Sequence, residues 1–414
     1  MKEVDNIKNL IRHAKESKIT FNNFVKWFVL SIISGISVGV VISFFLKSLE
    51  YATTTRENHP WLLYLLPLGG ALVSFLYFKY GKDSAKGNNL IIEQINSSDG
   101  YIPSRMAPLV LFGTFITHLF GGSAGREGTG VQIGASISAT LGRMLKLKDI
   151  DYNILIISGV SSGFGVVFGT PIAGTVFGLE VHSVGKMRYE AIIPCLISSY
   201  IGTYISELFN IHHTNYHMAN VGFDNIVFIK VIVCSILFGL TSKLFAELTH
   251  YLKRVFANKF PNTSLKSFVG GLVIIVAIII IGNRQYLGLS LDLLNNAFQS
   301  PVFYGAFIIK LVLTAITLGS GFQGGEVTPL FVIGATLGNA LSSIVNLPIS
   351  FMAGVGMIGV FAGATRTPIA SFIMGVELFG GIDIRYLFVA CAISYVFSGR
   401  STIYTAQRNE LIED

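Results

Sequence analysis

With 414 residues, 51% of them hydrophobic and 13% charged, and a mean hydropathy of +0.62, the chain holds more apolar surface than a water-soluble fold can hide. Its net charge of +7 reads as a signal of membrane topology and not as a nucleic-acid footprint, and its apolar runs do not alternate as barrel strands do. An all-α, polytopic membrane protein is the expectation.

Residues 1–22 form a polar, basic N-terminal segment without the small-residue cleavage pattern of a removable signal peptide. Val4, Ile7, Leu10 and Ile11 are spaced for an amphipathic helix on the membrane surface, and Lys2, Lys8, Arg12, Lys15 and Lys18 favour the cytoplasmic side. Apolar runs of membrane-crossing length follow, at Phe24 to Leu46, Trp61 to Phe78, Ile226 to Leu248 and Val269 to Ile281. Met352 to Ala364 and Thr367 to Phe379 are shorter and predict tilted or discontinuous helices, a design that the 44 glycines serve by allowing close helix approach. Cys195, Cys234 and Cys391 lie in apolar segments without CxxC spacing and read as small hydrophobes.

The chain repeats itself. Residues 111–135 and 311–335 share nine identities in 25 at an offset of 200, and GTPIAGTVFGLEV (169–181) matches RTPIASFIMGVELFG (366–380), with Pro171 over Pro368 and Glu180 over Glu377. A weaker pair sets Gly35 over Gly239. The predicted division is a first membrane repeat at 23–218 and a second at 219–414, an arrangement that places sites at the repeat interface near the bilayer midplane. Residues 209–225 would connect them, and hydropathy leaves open whether the halves are parallel or inverted.

Three glycine-rich breaks each open a helical pattern: GNNLIIEQI at 87–95, GREGTGVQIG at 125–134 and GFQGGEVTPLFVIG at 321–334. Helix starts offer free N–H groups and a positive dipole end, and Pro329 suits a first turn. Gly87, Gly125 and Gly128, with the side chains of Asn88, Thr129 and Thr328, would hold an anion weakly enough to release it. Glu127 has two readings: a carboxylate that competes with the anion when ionised and swings away when protonated, or half of a buried bridge with Arg126.

These motifs resemble the CLC family of chloride channels and proton-coupled anion transporters, over about residues 24 to 410, with GREG followed by VQIG the most specific match. The resemblance implies an inverted-repeat helical fold and a homodimer with one pathway per subunit. Where common chloride members carry GSGIP, GREGP and GxFxP motifs, this chain reads GNNLI, GREGT and GEVTP, which is similar to the fluoride/proton antiporter branch. Glu127 is then the gate and Glu326 the second proton carrier, since the usual internal glutamate position is Val181. A helix-capping role for Glu326 stays open. Asn88 stands where some fluoride members carry Met, and Tyr404 in STIYTAQR matches the tyrosine whose hydroxyl faces the central anion. The implied function is export of fluoride in exchange for protons. The alternatives are a chloride or nitrate exchanger and a passive channel gated by Glu127.

Other signals are weaker. His212, His213 and His217 in the connection lack acidic or cysteine partners for a metal and read as an interfacial loop; His118 and His182 read as satisfied structural residues, as do Arg366, Glu377 and Glu180. Which of the 32 phenylalanines face an ion is not written in the sequence. GREGTG lacks the Lys-Ser/Thr of a nucleotide loop and no HExxH occurs, so no enzyme, cofactor or metal is expected.

Overall fold

The computed structural model describes residues 2–97, 101–147, 149–214 and 216–409, with side chains from residue 22 onward. Among these, sixteen helices fall into two sets of eight that correspond in order. The first set is α1 (Lys2–Asn58), α2 (Leu66–Leu76), α3 (Asn88–Ser97), α4 (Met106–Leu119), α5 (Glu127–Met144), α6 (Asp149–Phe168), α7 (Pro171–Glu180) and α8 (Ile192–Leu208). The second is α9 (Asn225–Lys259), α10 (Thr263–Ile281), α11 (Leu291–Gln299), α12 (Ala306–Gly319), α13 (Val327–Val345), α14 (Ile349–Thr365), α15 (Pro368–Phe379) and α16 (Ile384–Phe397). The surface-facing side chains expected over residues 1–22 lie outside the described ones; the backbone there runs into α1 without a break.

Seven segments are long and apolar enough to cross a membrane, while α4, α12, α14, α15 and α16 are apolar but shorter. The outer helices carry apolar side chains that face outward, such as Phe28, Phe75, Ile229 and Ile280. Pro171 and Pro368 occupy the first helical position of α7 and α15, where the missing N–H has no partner to lose.

The halves are inverted. The chain leaves α1 at Asn58 and returns through residues 60–86, so Lys86 lies on the face where α1 begins; Lys253, near the end of α9, lines one cavity with Lys86. α1 and α9 therefore run in opposite directions. Each half buries its first helix in the same way: a Cβ on Gly35 would stand 2.7 Å from the Ser198 carbonyl, and one on Gly239 2.7 Å from the Ser394 carbonyl. The halves also cap one another. Glu180 accepts the Ile369 and Ala370 N–H groups (3.2 and 2.8 Å), and Glu377 accepts those of Ile172 and Ala173 (3.0 and 2.6 Å), so each carboxylate neutralises the other half's helix start.

Close contact holds the centre together. Gly130 and Gly134 of α5 meet Gly163 and Gly159 of α6, and Gly334 of α13 meets Gly356 of α14, at distances that leave no room for a side chain. A Cβ on Gly134 would sit 2.1 Å from the Gly159 carbonyl oxygen. Gly134→Ala is expected to destabilise the fold by about 1–3 kcal/mol, the usual range for overpacking. The midpoint of thermal unfolding in detergent should fall; an unchanged midpoint would mean that α6 moves aside freely.

Candidate functional site

The two glycine loops that the repeat aligns are bound to each other. Gly125 N–H donates to Gly325 O (2.6 Å) and Gly325 N–H donates to Gly125 O (2.8 Å), an antiparallel pair at the pseudo-two-fold position. α5 and α13 start two residues beyond it on either side, which brings both positive helix ends to one place. Pro329 falls in the first turn of α13, as its position in GEVTP predicts.

Glu127 fills that place. Its side chain is fully buried, and its carboxylate accepts Arg126 N–H (3.0 Å), Thr328 N–H (3.0 Å) and the Thr328 hydroxyl. Two of these three donors belong to the other repeat. Gly125 is glycine for a physical reason: a Cβ there would stand 2.6 Å from the Glu127 carboxylate and 2.8 Å from Pro329 Cδ. The Arg126–Glu127 bridge does not form. Only the Arg126 backbone meets the carboxylate, and the guanidinium lines a separate cavity.

Two cavities approach this point from opposite sides. One is a vestibule of about 1240 Å³, reaching Gly87, Asn88, Gln132, Glu326 and Tyr404 at its inner end. Lys82, Lys86, Lys253, Arg254 and Lys266 line it against two carboxylates, Glu247 and Glu326, so its potential attracts anions. The other cavity, of about 30 Å³, has room for a water or one small ion and is lined by Arg126, Phe168, His213, Tyr216, Thr328 and Phe331 among others. Glu127 lines neither: it is bonded to Thr328, which lines the smaller cavity, while the neighbouring Glu326 lines the vestibule.

The other expected site residues separate into two groups. Asn88, Glu326 and Tyr404 gather at the inner end of the vestibule, and Gly128 lies beside them, its Cβ position 3.1 Å from Asn88 Nδ2 and 3.7 Å from Glu326 Oε2. Tyr404 is buried and held there by the C-terminal strap: Ile403 N–H donates to Ala364 O, Ala406 N–H to Asn89 Oδ1, and residues 408–409 pair with Ser183 and Val184. Glu326 is the backbone N-cap residue of α13, but its side chain makes no capping bond; Glu127 takes the Thr328 N–H instead.

Three expectations need correction. Gly125 gives its N–H to Gly325, and Gly87 gives its own to Ser84 O (3.1 Å), so neither amide is free for an anion. The positive φ of Gly87 makes the turn that starts α3 instead. Thr129 turns away from Glu127 and pairs its hydroxyl with Thr114 (2.7 Å).

Some contributors carried too little signal to be found. The His213 side chain, from the connecting loop, packs on Gly169 at the smaller cavity, where Tyr216 joins it; the sequence marks His213 only as part of an interfacial loop. Phe168 and Phe331 line that cavity too, with Phe331 edge-on to Phe361 at 5.2 Å. Gln132 did offer a signal, as the one carboxamide in α5. His118 and His182 each use Nδ1 in a hydrogen bond and leave Nε2 without a partner.

The family profile described as voltage gated chloride channel matches residues 69–399. The chain belongs to the CLC family. A chloride/fluoride channel protein of Pseudomonas syringae pv. tomato is 41% identical over 390 residues, covering 92% of this chain and 86% of that protein. A solved CLC-type fluoride/proton antiporter matches with a TM-score of 0.91 at 35% identity, covering 94% of this chain and 98% of the other. A slow cyanobacterial Cl⁻/H⁺ antiporter matches in fold, with a TM-score of 0.79 at 23% identity over 92% and 96% of the two chains. As a CLC member with seven membrane-length helices, the chain is an integral membrane protein.

The vestibule charge makes a prediction for this CLC protein. Lys253→Glu combined with Arg254→Glu should slow anion uptake into liposomes several-fold at low ionic strength. The deficit should shrink as impermeant salt approaches ~1 M, where the Debye length is about 3 Å. A salt-independent deficit would indicate structural damage instead.

Proposed function

We propose that this protein is a fluoride/proton antiporter that exports fluoride from the cytoplasm in exchange for protons. The observation that carries the reading is the Glu127 carboxylate at the start of α13, between two cavities, bound by the donors an anion would use. A carboxylate in that position and a transported anion exclude each other. Proton uptake by Glu127 removes its charge and most of its hold on the helix start, which frees the place for the ion. Glu326, which lines the vestibule, would pass protons from there to the region of Glu127.

Fluoride is supported by the donors. The Thr328 hydroxyl and the Asn88 amide add to the backbone N–H groups, and a small, strongly hydrated ion needs more donors to replace its shell than chloride does. Two relatives, a chloride/fluoride channel protein and a fluoride/proton antiporter, lean the same way. The cation-rich vestibule face carries the start of α1, so the positive-inside tendency favours a cytoplasmic N-terminus in the cell membrane. A homodimer with one pathway per subunit, and the absence of any covalent chemistry or cofactor, belong to the same reading.

The test uses purified protein in liposomes, with fluoride efflux and proton uptake followed by electrodes. Fluoride should drive protons uphill. Equal fluoride and chloride fluxes would remove the fluoride assignment, and fluoride flux without proton movement would make the protein a channel. Glu127→Gln should abolish proton coupling, and Glu326→Gln should lower proton flux at least tenfold, an effect of the size proton-transfer groups commonly supply. Wild-type coupling in either variant would end that residue's assignment.

A further inference from the structure

His213 lines the smaller cavity, and its Nε2 is buried without a hydrogen-bond partner among the described residues. A buried ring nitrogen left unpaired is costly and calls for a partner that the protein itself does not supply. The cavity, of about 30 Å³, has room for one water, and Thr328 lines it as well. Thr328 in turn gives its hydroxyl to the Glu127 carboxylate.

The ring has a seat made for it. A Cβ on Gly169 would stand 2.4 Å from His213 Cδ2 and 3.1 Å from Nε2. Gly169 makes its turn at φ +71°, yet the residue that the repeat sets over it is Arg366, which makes the corresponding turn at φ +55°. The backbone therefore manages without glycine in the second half, and in the first half the missing side chain leaves space for the imidazole.

His213 belongs to the loop that joins the halves, on the face where α9 begins and opposite the vestibule. Its neighbours His212 and Thr214 are exposed. The titratable groups around the ring are Arg126 from the loop before α5, His212 and Tyr216 from its own loop and, beyond Thr328, Glu127. Burial, the Arg126 guanidinium and His212 bring His213 down to about 4. The ring is thus neutral near pH 7 and binds a proton weakly, which suits transfer better than storage.

We propose that His213 is the outer proton port of the transporter, taking a proton from outer water on Nε2 and passing it through one cavity water and the Thr328 hydroxyl to Glu127. This role rests on the antiporter reading above and adds the group that supplies its protons. The transfer balances. The Thr328 hydroxyl proton moves to the carboxylate, the cavity water gives a proton to Thr328 Oγ, and the proton on His213 restores the water and leaves the ring neutral. One proton enters for each Glu127 neutralised.

The experiment measures fluoride efflux and proton uptake in liposomes for wild type, His213→Gln and His213→Phe, with pH and free histidine, an impermeant imidazole, varied equally on both sides. Glutamine keeps the polarity and phenylalanine keeps a ring on Gly169; neither carries a proton. Each variant should lower the maximal rate at pH ~7 at least tenfold, an effect of the size positioned proton-transfer groups supply. The KM for fluoride should stay within about twofold and the proton-to-fluoride ratio should not change. The deficit should shrink as pH falls or as free histidine is added, because protons then reach Thr328 without the ring. Either variant folding, by size-exclusion elution, is enough to decide. A wild-type rate, or a deficit that neither acid nor free histidine relieves, would overturn the port while leaving the antiporter reading in place. Absence of fluoride-driven proton uptake in wild type would remove both.

Discussion

The backbone pairing of Gly125 with Gly325 is the contact on which the site depends. Two hydrogen bonds between loops from opposite halves fix the starts of α5 and α13 against each other, and through them the α5–α6 and α13–α14 pairs that form the buried centre. Neither loop could make this pairing within its own half. Once it is made, Glu127 has only one set of donors within reach, and they come from Thr328 and its own loop.

Charge is distributed so that, among the described residues, no cationic side chain bonds to the Glu127 carboxylate. Lys310, fully buried on α12, donates to Tyr286 O, Gly288 O and Ser290 Oγ, and Arg56 donates to His118 O. Both are occupied in tying loops together. Lys82, Lys253, Arg254 and Lys266 line the vestibule, where water screens them and they raise the local anion concentration without binding firmly. What remains at the centre is helix dipoles and a hydroxyl.

Much of this was legible in the sequence because duplication made it so. The 200-residue offset aligned the two glycine loops, Pro171 and Pro368 marked matching helix starts, and GREG placed a carboxylate where one was found. The reciprocal capping by Glu180 and Glu377 was anticipated only as a structural role for the two residues. Single-residue roles were harder, since they depend on direction. Thr129 lies two residues after Glu127, about 200° round the helix, and so reaches Thr114 instead of the ion's place. The amides of Gly87 and Gly125 looked free because their acceptors, Ser84 and Gly325, are chosen by the turn and by the other half. His213 and Tyr216 reach the smaller cavity through a loop with no periodicity to read.

The latch on Glu127 also sets a pace. To swing out, the carboxylate must leave three donors in a dry setting, and each charge-assisted bond is worth about 1.5–3 kcal/mol net. Every 1.36 kcal/mol left uncompensated slows the step about tenfold. In the antiporter proposed above, throughput would then be governed by the plug and not by diffusion through the vestibule. The tightness that prevents leakage would be the same quantity that limits speed.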